Sequence, residues 1–186
     1  GPNGSSKRRA NGSAKASNGS ATASPNGAGT SLDLEATFEG RRIVVVGGTG
    51  FLGKVWWSFL LARFPNVGHL YLVVREKGGR SAQERFWNEI IPSAVFDPLR
   101  SAHGAGLEAF LRDKVTPVAG DVVQPFCGLE PGLREDLRGN VDAVVNVAGV
   151  VDFDPPLDEA LEVNAFGVQN LARVGGGLAS VPGLHK

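Results

Sequence analysis

Residues 43–53 read IVVVGGTGFLG, a β-branched apolar run followed at once by spaced glycines. A short run of this kind is typical of a strand buried on both faces of a parallel sheet. Beyond the glycines, apolar residues recur at helical spacing until Pro65. The stretch therefore predicts a strand at 41–46, a tight glycine turn and a helix over 51–64.

The rest of the chain repeats this alternation of strand and helix. Apolar runs predict further strands at 69–74, 114–119 and 142–147. Helical patterns cover 82–91 and 157–174, and residues 107–111 are interpreted as the end of another helix. Strands that alternate with helices build crossover units, so the predicted fold class is α/β, a Rossmann-like doubly wound parallel sheet.

The beginning of the chain has a different composition. Its first 30 residues are all Gly, Pro, Asn, Ser, Ala or Thr, apart from Lys7, Arg8, Arg9 and Lys15. Such a segment cannot bury enough apolar surface to order itself, so residues 1–31 are predicted to be a disordered tail and residues 32–186 the domain. Without those four cations, 15 of the 19 basic residues face 19 acidic ones, a net charge of −4. A mildly acidic domain argues against nucleic-acid binding.

Cysteine, histidine and hydropathy exclude other classes of protein. One cysteine cannot form an internal disulfide, and the three histidines show no spacing that suggests a metal site. No apolar run reaches the roughly 18 residues that a membrane span needs, and the N-terminus lacks the apolar stretch of a signal peptide. We therefore expect a cytoplasmic protein with no metal and no transmembrane segment.

The glycine turn is the main candidate site. Glycines between a strand and a helix let the backbone approach a pyrophosphate, whose charge then lies against the free amides of the helix. Gly48-x-Gly50-x-x-Gly53 has the usual dinucleotide spacing, and the wider Gly47-x-x-Gly50-x-x-Gly53 is typical of short-chain dehydrogenases and reductases. A purely structural turn is the alternative to a nucleotide site formed by Gly47, Thr49, Gly50, Phe51, Leu52 and Gly53.

The end of the second predicted strand bears on the choice of nucleotide. An acidic residue there would accept hydrogen bonds from a ribose 2′-hydroxyl. Arg75 occupies the position instead, and a guanidinium suits a 2′-phosphate. The prediction is NADP(H), with Lys77 assisting. A solvated strand-end arginine is the alternative, and Glu76 leaves some use of NAD(H) open.

Two more strand ends carry candidate residues. Asp121 and Val122 follow the third strand, where a carboxylate and a backbone amide can reach an adenine edge, although Gly-Asp alone is only a turn. Ala148 and Gly149 follow the fourth strand, where small residues let the backbone pass close to the ribose and nicotinamide half of a cofactor. Asn164 lies inside the last predicted helix, where asparagine has no intrinsic advantage and a surface position is equally consistent.

Longer motifs give the chain a family resemblance. They are FEG at 38–40, GGTGFLGKV at 47–55, PNVGHLYLVVREKGGRSAQERF at 65–86, FDPLR at 96–100, KVTPVAGDVVQPFCGL at 114–129 and VVDFDPPLDEALEVNAFGVQNL at 150–171. In these motifs the chain resembles the fatty acyl-CoA reductases, which include the male-sterility-type proteins of the extended short-chain dehydrogenase/reductase superfamily. Val46 departs from the family, which commonly has threonine before the first glycine.

The resemblance implies a function and a role for each candidate. The implied reaction is NADPH-dependent reduction of a long-chain fatty acyl-CoA thioester to an aldehyde, and often onward to a primary alcohol. The implied roles are pyrophosphate binding by Gly47, Gly50 and Gly53, 2′-phosphate binding by Arg75, adenine binding by Asp121 and Val122, contact with the ribose side by Ala148 and Gly149, and a structural-catalytic position behind the nicotinamide for Asn164.

The superfamily's chemistry also uses a Ser or Thr and a Tyr-x-x-x-Lys pair. The lysine lowers the pKa of the tyrosine, and the Ser or Thr and Tyr hydroxyls stabilise the developing oxyanion. The sole tyrosine, Tyr71, lies in the second predicted strand and is followed by Arg75 at the lysine position. The resemblance therefore implies that the pair lies beyond Lys186, that the sheet is truncated before its later strands, and that this chain is an inactive cofactor-binding half. Peripheral membrane contact would involve regions outside this sequence.

The sequence also leaves two other functions open. One is a thioester reductase that acts on substrates bound to a carrier protein, and the other is a non-catalytic NADP-binding module. Cys127 is not expected to be a thioester nucleophile, because no cationic residue neighbours it in the sequence to activate the thiol. The oligomeric state is not predicted.

Overall fold

The computed structural model describes residues 33–150 and 154–175, so the predicted tail at 1–31 lies outside the described residues. The sheet consists of β1 (Arg42–Val46), β2 (His69–Val74), β3 (Val115–Ala119) and β4 (Ala143–Asn146). The strand order is β3-β2-β1-β4, and every neighbouring pair is parallel. This order is that of a Rossmann-like sheet, which confirms the predicted fold class.

Helices connect the strands. The α-helices in the described ranges are α1 (Leu34–Phe38), α2 (Phe51–Arg63), α3 (Ala82–Arg85), α4 (Asp97–His103), α5 (Leu107–Lys114), α6 (Pro131–Leu137), α7 (Leu157–Leu161) and α8 (Gly167–Gly175). A π-helical turn, Phe86–Ile90, continues α3, and a second one, Glu162–Phe166, joins α7 to α8. Short 3₁₀ turns are Ala94–Phe96, Gly104–Gly106 and Pro125–Gly128.

Most of the predicted elements are present. The four strands and the helices at 51–64, 82–91 and 157–174 are confirmed to within one or two residues at their ends, once the π turns are counted as helix. The interpretation of residues 107–111 as the end of a helix was wrong, because Leu107 begins α5. The preceding helix, α4, ends at His103, because Gly104 after it has a positive φ of 52° that breaks the helical path.

Apolar side chains cover both faces of the sheet. Along β1, Ile43 and Val45 pack into the core on one face, and Val44 and Val46 pack into the core on the other. All four are almost fully buried. This is the pattern expected of a central parallel strand, and it confirms that β1 is covered on both sides.

Trp57 anchors α2 and the glycine turn to the core. The ring is fully buried and packs against Phe86 and Phe96, with ring centroids 6.2 and 4.4 Å away. Its indole N–H donates a hydrogen bond of 3.0 Å to the carbonyl of Gly48. A core aromatic side chain therefore holds the loop that follows β1. No helix in the described ranges is both long and apolar enough to cross a bilayer.

Candidate cofactor site

The loop between β1 and α2 lies at the carboxyl edge of the sheet. Gly50 caps the helix in an extended conformation, with φ −72° and ψ 170°, and its amide donates to the carbonyl of Gly47 at 3.1 Å. α2 then runs for 13 residues from Phe51. The first amides of such a helix have no partner within the helix, and they form its positive end. The loop therefore offers an anion a set of backbone donors.

The glycines of the turn differ in how much space the structure leaves for a side chain. Gly47 has a positive φ of 80°, and a Cβ on it would lie 2.3 Å from the amide nitrogen of Ala148. A Cβ on Gly53 would lie 2.3 Å from the carbonyl oxygen of Gly47. A Cβ on Gly50 would come no closer than 3.5 Å to its nearest neighbour, again the Gly47 oxygen. The structure thus leaves no room for a side chain at Gly47 or Gly53, whereas the space above Gly50 is open.

The loop opens onto a cleft of about 450 Å³ at the ends of the strands. The cleft brings together nine of the predicted site residues, which are Gly47, Thr49, Gly50, Arg75, Lys77, Asp121, Val122, Ala148 and Gly149. Gly53 lies beneath the loop, and Phe51 and Leu52 are exposed at the start of α2. The lining also includes residues that the sequence did not indicate, among them Arg85, Glu159 and Val163.

Arg75 and Asp121 meet at the edge of the cleft. A guanidinium nitrogen of Arg75 lies 3.9 Å from a carboxylate oxygen of Asp121, and the arginine side chain is 65% exposed. The other oxygen of Asp121 accepts a hydrogen bond from the amide of Val123 at 3.2 Å. The amide of Asp121 donates to the carbonyl of Cys127 at 2.9 Å. The carboxylate is therefore held by its own loop, whereas the arginine side chain is largely exposed to solvent.

Arg85 is a cation of the cleft that sequence reasoning missed. It is the last residue of α3, and its side chain is only 15% exposed. One terminal nitrogen donates to the carbonyl of Arg75, and Nε donates to Glu89 at 2.9 Å. Arg75, Lys77 and Arg85 thus form a group of three cations at the end of β2. The sequence offered one signal for Arg85, which is the recurrence of basic residues in the 65–86 motif.

Asn164 is placed against the loop that follows β4. Its side-chain oxygen accepts a hydrogen bond from the amide of Val150 at 3.0 Å. A Cβ on Gly149 would lie 3.4 Å from that same oxygen. The residue lies in the π turn Glu162–Phe166, and π turns within helices are frequent at functional sites. Asn164 is thus exposed on the helix surface, as the alternative interpretation of the sequence had it, and its side chain also holds the backbone beside Ala148 and Gly149.

Cys127 is unsuited to nucleophilic chemistry. The side chain is fully buried, and burial, together with the negative charge of Asp121, raises the pKa of the thiol to about 11. The thiol is therefore protonated at neutral pH. Within residues 33–150 and 154–175, no group of three or more His, Cys, Asp or Glu residues is placed to hold a metal ion.

A family model of NAD-binding domains, described as male sterility protein, matches residues 45–181. The chain belongs to this family. The match begins in β1 and includes the glycine turn and every strand that follows. Membership in the male sterility family confirms the predicted resemblance, and it makes a nicotinamide dinucleotide the class of ligand for this domain.

Relatives of this male sterility domain include two plant proteins. Fatty acyl-CoA reductase 8 of Arabidopsis thaliana is 39% identical over 135 residues, which are 72% of this chain and 27% of the relative. The chloroplastic fatty acyl-CoA reductase 2 of the same plant is 32% identical over 140 residues, 75% of this chain and 23% of the relative. The chain thus spans about a quarter of the length of these relatives. Because one of them is described as chloroplastic, a cytoplasmic location stays a prediction.

A solved structure shares the fold of the male sterility domain. The terminal R domain from the myxalamid PKS-NRPS biosynthetic pathway superposes with a TM-score of 0.56 and 25% sequence identity. The superposition covers 77% of this chain and 33% of that chain. The four-stranded parallel sheet therefore has a counterpart in part of that R domain.

Proposed function

We propose that this chain is the cofactor-binding part of an NADPH-dependent fatty acyl-CoA reductase. The observation that carries the choice of cofactor is the group of cations formed by Arg75, Lys77 and Arg85 beside the glycine turn. Domains of this fold that prefer NAD(H) have an acidic residue at the end of β2. Three cations at that place favour a ligand with an additional phosphate.

The cleft residues can be assigned to parts of NADP(H). The open space above Gly50 and the first amides of α2, from Phe51 and Leu52, suit the pyrophosphate. The cations at the end of β2 suit the 2′-phosphate. Asp121 and Val122, at the end of β3, are assigned to the adenine, as predicted from the sequence.

The nicotinamide half is assigned to the loop after β4. Ala148 and Gly149 line the cleft there, and Asn164 fixes the loop through its bond to Val150. When bound, NADPH supplies a hydride that reduces a thioester carbonyl carbon, and the loss of CoA thiolate then leaves an aldehyde. The contribution of Asn164 is to hold the backbone next to the site of transfer and to keep that edge of the cleft ordered.

Long-chain acyl-CoA is the proposed substrate, because the plant relatives bear the name fatty acyl-CoA reductase. The proton donor is assigned to a Tyr-x-x-x-Lys pair outside this sequence. Tyr71 cannot serve, because it lies within β2 and its hydroxyl accepts a 2.6 Å hydrogen bond from Arg42, the first residue of β1. That hydroxyl is therefore engaged away from the carboxyl edge, and the chain alone should bind cofactor without turnover.

A second candidate function is the reduction of a thioester carried by a carrier protein. The structural similarity to an R domain of a PKS-NRPS pathway favours it, since it extends over 77% of this chain. The two functions share the cofactor and differ in the carrier of the acyl group. The third hypothesis is that the protein binds NADP without catalysing a reaction.

The discriminating experiment uses protein made from the complete reading frame. It is incubated with NADPH and either palmitoyl-CoA or the same acyl chain on a carrier protein, and aldehyde, alcohol and free thiol are followed. The proposal predicts reduced product from palmitoyl-CoA. Product from the carrier-bound chain alone would establish the second function, and thiol release without either reduced product would indicate a thioesterase.

A further inference from the structure

Glu89 joins two arginines behind the cleft. It lies in the π turn Phe86–Ile90 and accepts a 2.9 Å hydrogen bond from Nε of Arg85. Its other carboxylate oxygen lies 2.8 Å from a guanidinium nitrogen of Arg80. That oxygen is buried, and its contact with Arg80 is an ion pair. The Glu89 carboxylate therefore orients the Arg85 guanidinium through a hydrogen bond and attracts the Arg80 guanidinium through an ion pair.

Arg85 transmits this arrangement to the cleft. With Nε directed at Glu89, a terminal nitrogen of the same planar group donates to the carbonyl of Arg75. Arg75 is the first residue after β2, and its own guanidinium lines the cleft. The planar guanidinium of Arg85 is held at two points, Glu89 and the Arg75 carbonyl, so it keeps one orientation. The position of Arg85 and that of the Arg75 backbone therefore both depend on Glu89.

We propose that Glu89 is a positioning residue that sets the preference for a 2′-phosphate. This inference rests on the proposed function and deepens it, because it names the residue that arranges the cations of the site. Glu89 does not line the cleft, so it does not meet the phosphate. It offsets the mutual repulsion of the arginines and holds Arg85 before the ligand arrives, which reduces the entropy lost on binding.

The sign of the effect separates positioning from simple electrostatics. If Glu89 acted only through its charge, its removal would make the cleft more positive and would strengthen anion binding. If it acts by positioning, its removal releases Arg85 and weakens phosphate binding. A merely structural role of the Arg85 and Glu89 pair would change stability and leave the preference between ligands unchanged.

The test uses Glu89→Gln and two small probes, adenosine 2′,5′-bisphosphate and 5′-AMP, titrated onto the folded chain by calorimetry. We expect the affinity for the bisphosphate to fall about tenfold, and the affinity for 5′-AMP to stay the same. The matched control is Glu108→Gln, since Glu108 pairs with Arg112 on α5 at the same helical spacing, away from the cleft. The control should keep the preference of the wild type.

A tighter or unchanged affinity for the bisphosphate in folded Glu89→Gln would overturn the inference, as would an equal loss for both probes. If Glu89→Gln fails to fold, Arg85→Lys replaces it, because lysine keeps the charge and loses the two-point orientation. Arg85→Lys should show the same selective loss, and an unchanged preference there would overturn the inference equally. A wild-type chain that binds both probes equally would instead refute the proposed cofactor.

Discussion

The guanidinium of Arg75 lies 3.9 Å from the carboxylate of Asp121, across the ends of β2 and β3. The separation is long for an ion pair, and the arginine is 65% exposed, so the pair contributes little to stability. Asp121 is held by its own loop. A phosphate at the cleft would therefore compete with a weak partner for Arg75, and its binding would leave Asp121 to accept hydrogen bonds from an adenine.

Substitution of Arg75 tests that role. Arg75→Ala should lower the affinity for NADPH at least about tenfold, equivalent to ~1.4 kcal/mol, and should leave the affinity for NADH unchanged. Fluorescence titration of both nucleotides measures the change. Arg63→Ala is the control, because Arg63 is an exposed arginine paired with Glu35 on α1. An unaltered NADPH affinity in Arg75→Ala would remove Arg75 from the site.

Gly50 and Gly53 give a matched pair of substitutions. Gly50→Ala should fold with the stability of the wild type, because the new Cβ meets nothing closer than 3.5 Å, and should bind NADPH weakly, because it fills the space assigned to the pyrophosphate. Gly53→Ala should lower the free energy of unfolding by about 1–3 kcal/mol, because its Cβ would lie 2.3 Å from the Gly47 oxygen. Urea denaturation and nucleotide titration separate the two effects. Full NADPH affinity in Gly50→Ala would contradict the pyrophosphate assignment.

Trp57 links the stability of the core to the shape of the loop. Trp57→Phe keeps an aromatic ring and removes the donor to the Gly48 carbonyl, so we expect a loss of about 1–3 kcal/mol in the free energy of unfolding. Urea denaturation measures it. Trp56→Phe serves as the control, because Trp56 is only partly buried at the edge of the same core. Equal losses of unfolding free energy in the two variants would show that the indole hydrogen bond of Trp57 does not stabilise the fold measurably.

Acid should destabilise the domain through His69. Burial holds the pKa of this imidazole below its ordinary value, and its ring nitrogens lie 2.9 Å from the Asp113 carbonyl and 2.8 Å from the Thr116 hydroxyl. The unfolded chain therefore takes up the proton first, so the free energy of unfolding should fall as the pH drops below about 6.5, until the folded pKa is passed. Urea denaturation between pH 7.5 and 5 should show a smaller pH dependence in His69→Gln. An identical pH dependence in that variant would exclude His69 as its source.

The sequence predicted the parts of this domain that have a strong local signal. The apolar run 43–46 and the glycines after it predicted both β1 and the turn, because four buried positions and a required positive φ leave few alternatives. By contrast, α1, α4 and α6 were not predicted, since each has seven residues or fewer and shows too little periodicity for a pattern.

The candidate site also contains residues that the sequence predicted and residues that it did not. Arg75 and Asp121 were predictable, because the carboxyl ends of adjacent parallel strands meet at one edge. Arg85 was missed because its place in the cleft depends on how α3 lies across the end of β2, which is set by distant contacts such as that with the Arg75 carbonyl. The π turn that brings Asn164 to Val150 likewise has no signature in the sequence pattern.

The proposed function requires that this cleft selects NADP(H). Titration of NADPH and of NADH onto the wild-type chain, under the same salt and pH, decides whether it does. The cations at the end of β2 predict that NADPH binds at least about tenfold more tightly than NADH, and that the difference shrinks as salt screens the 2′-phosphate. Equal affinities for the two nucleotides, or tighter binding of NADH, would contradict the claim.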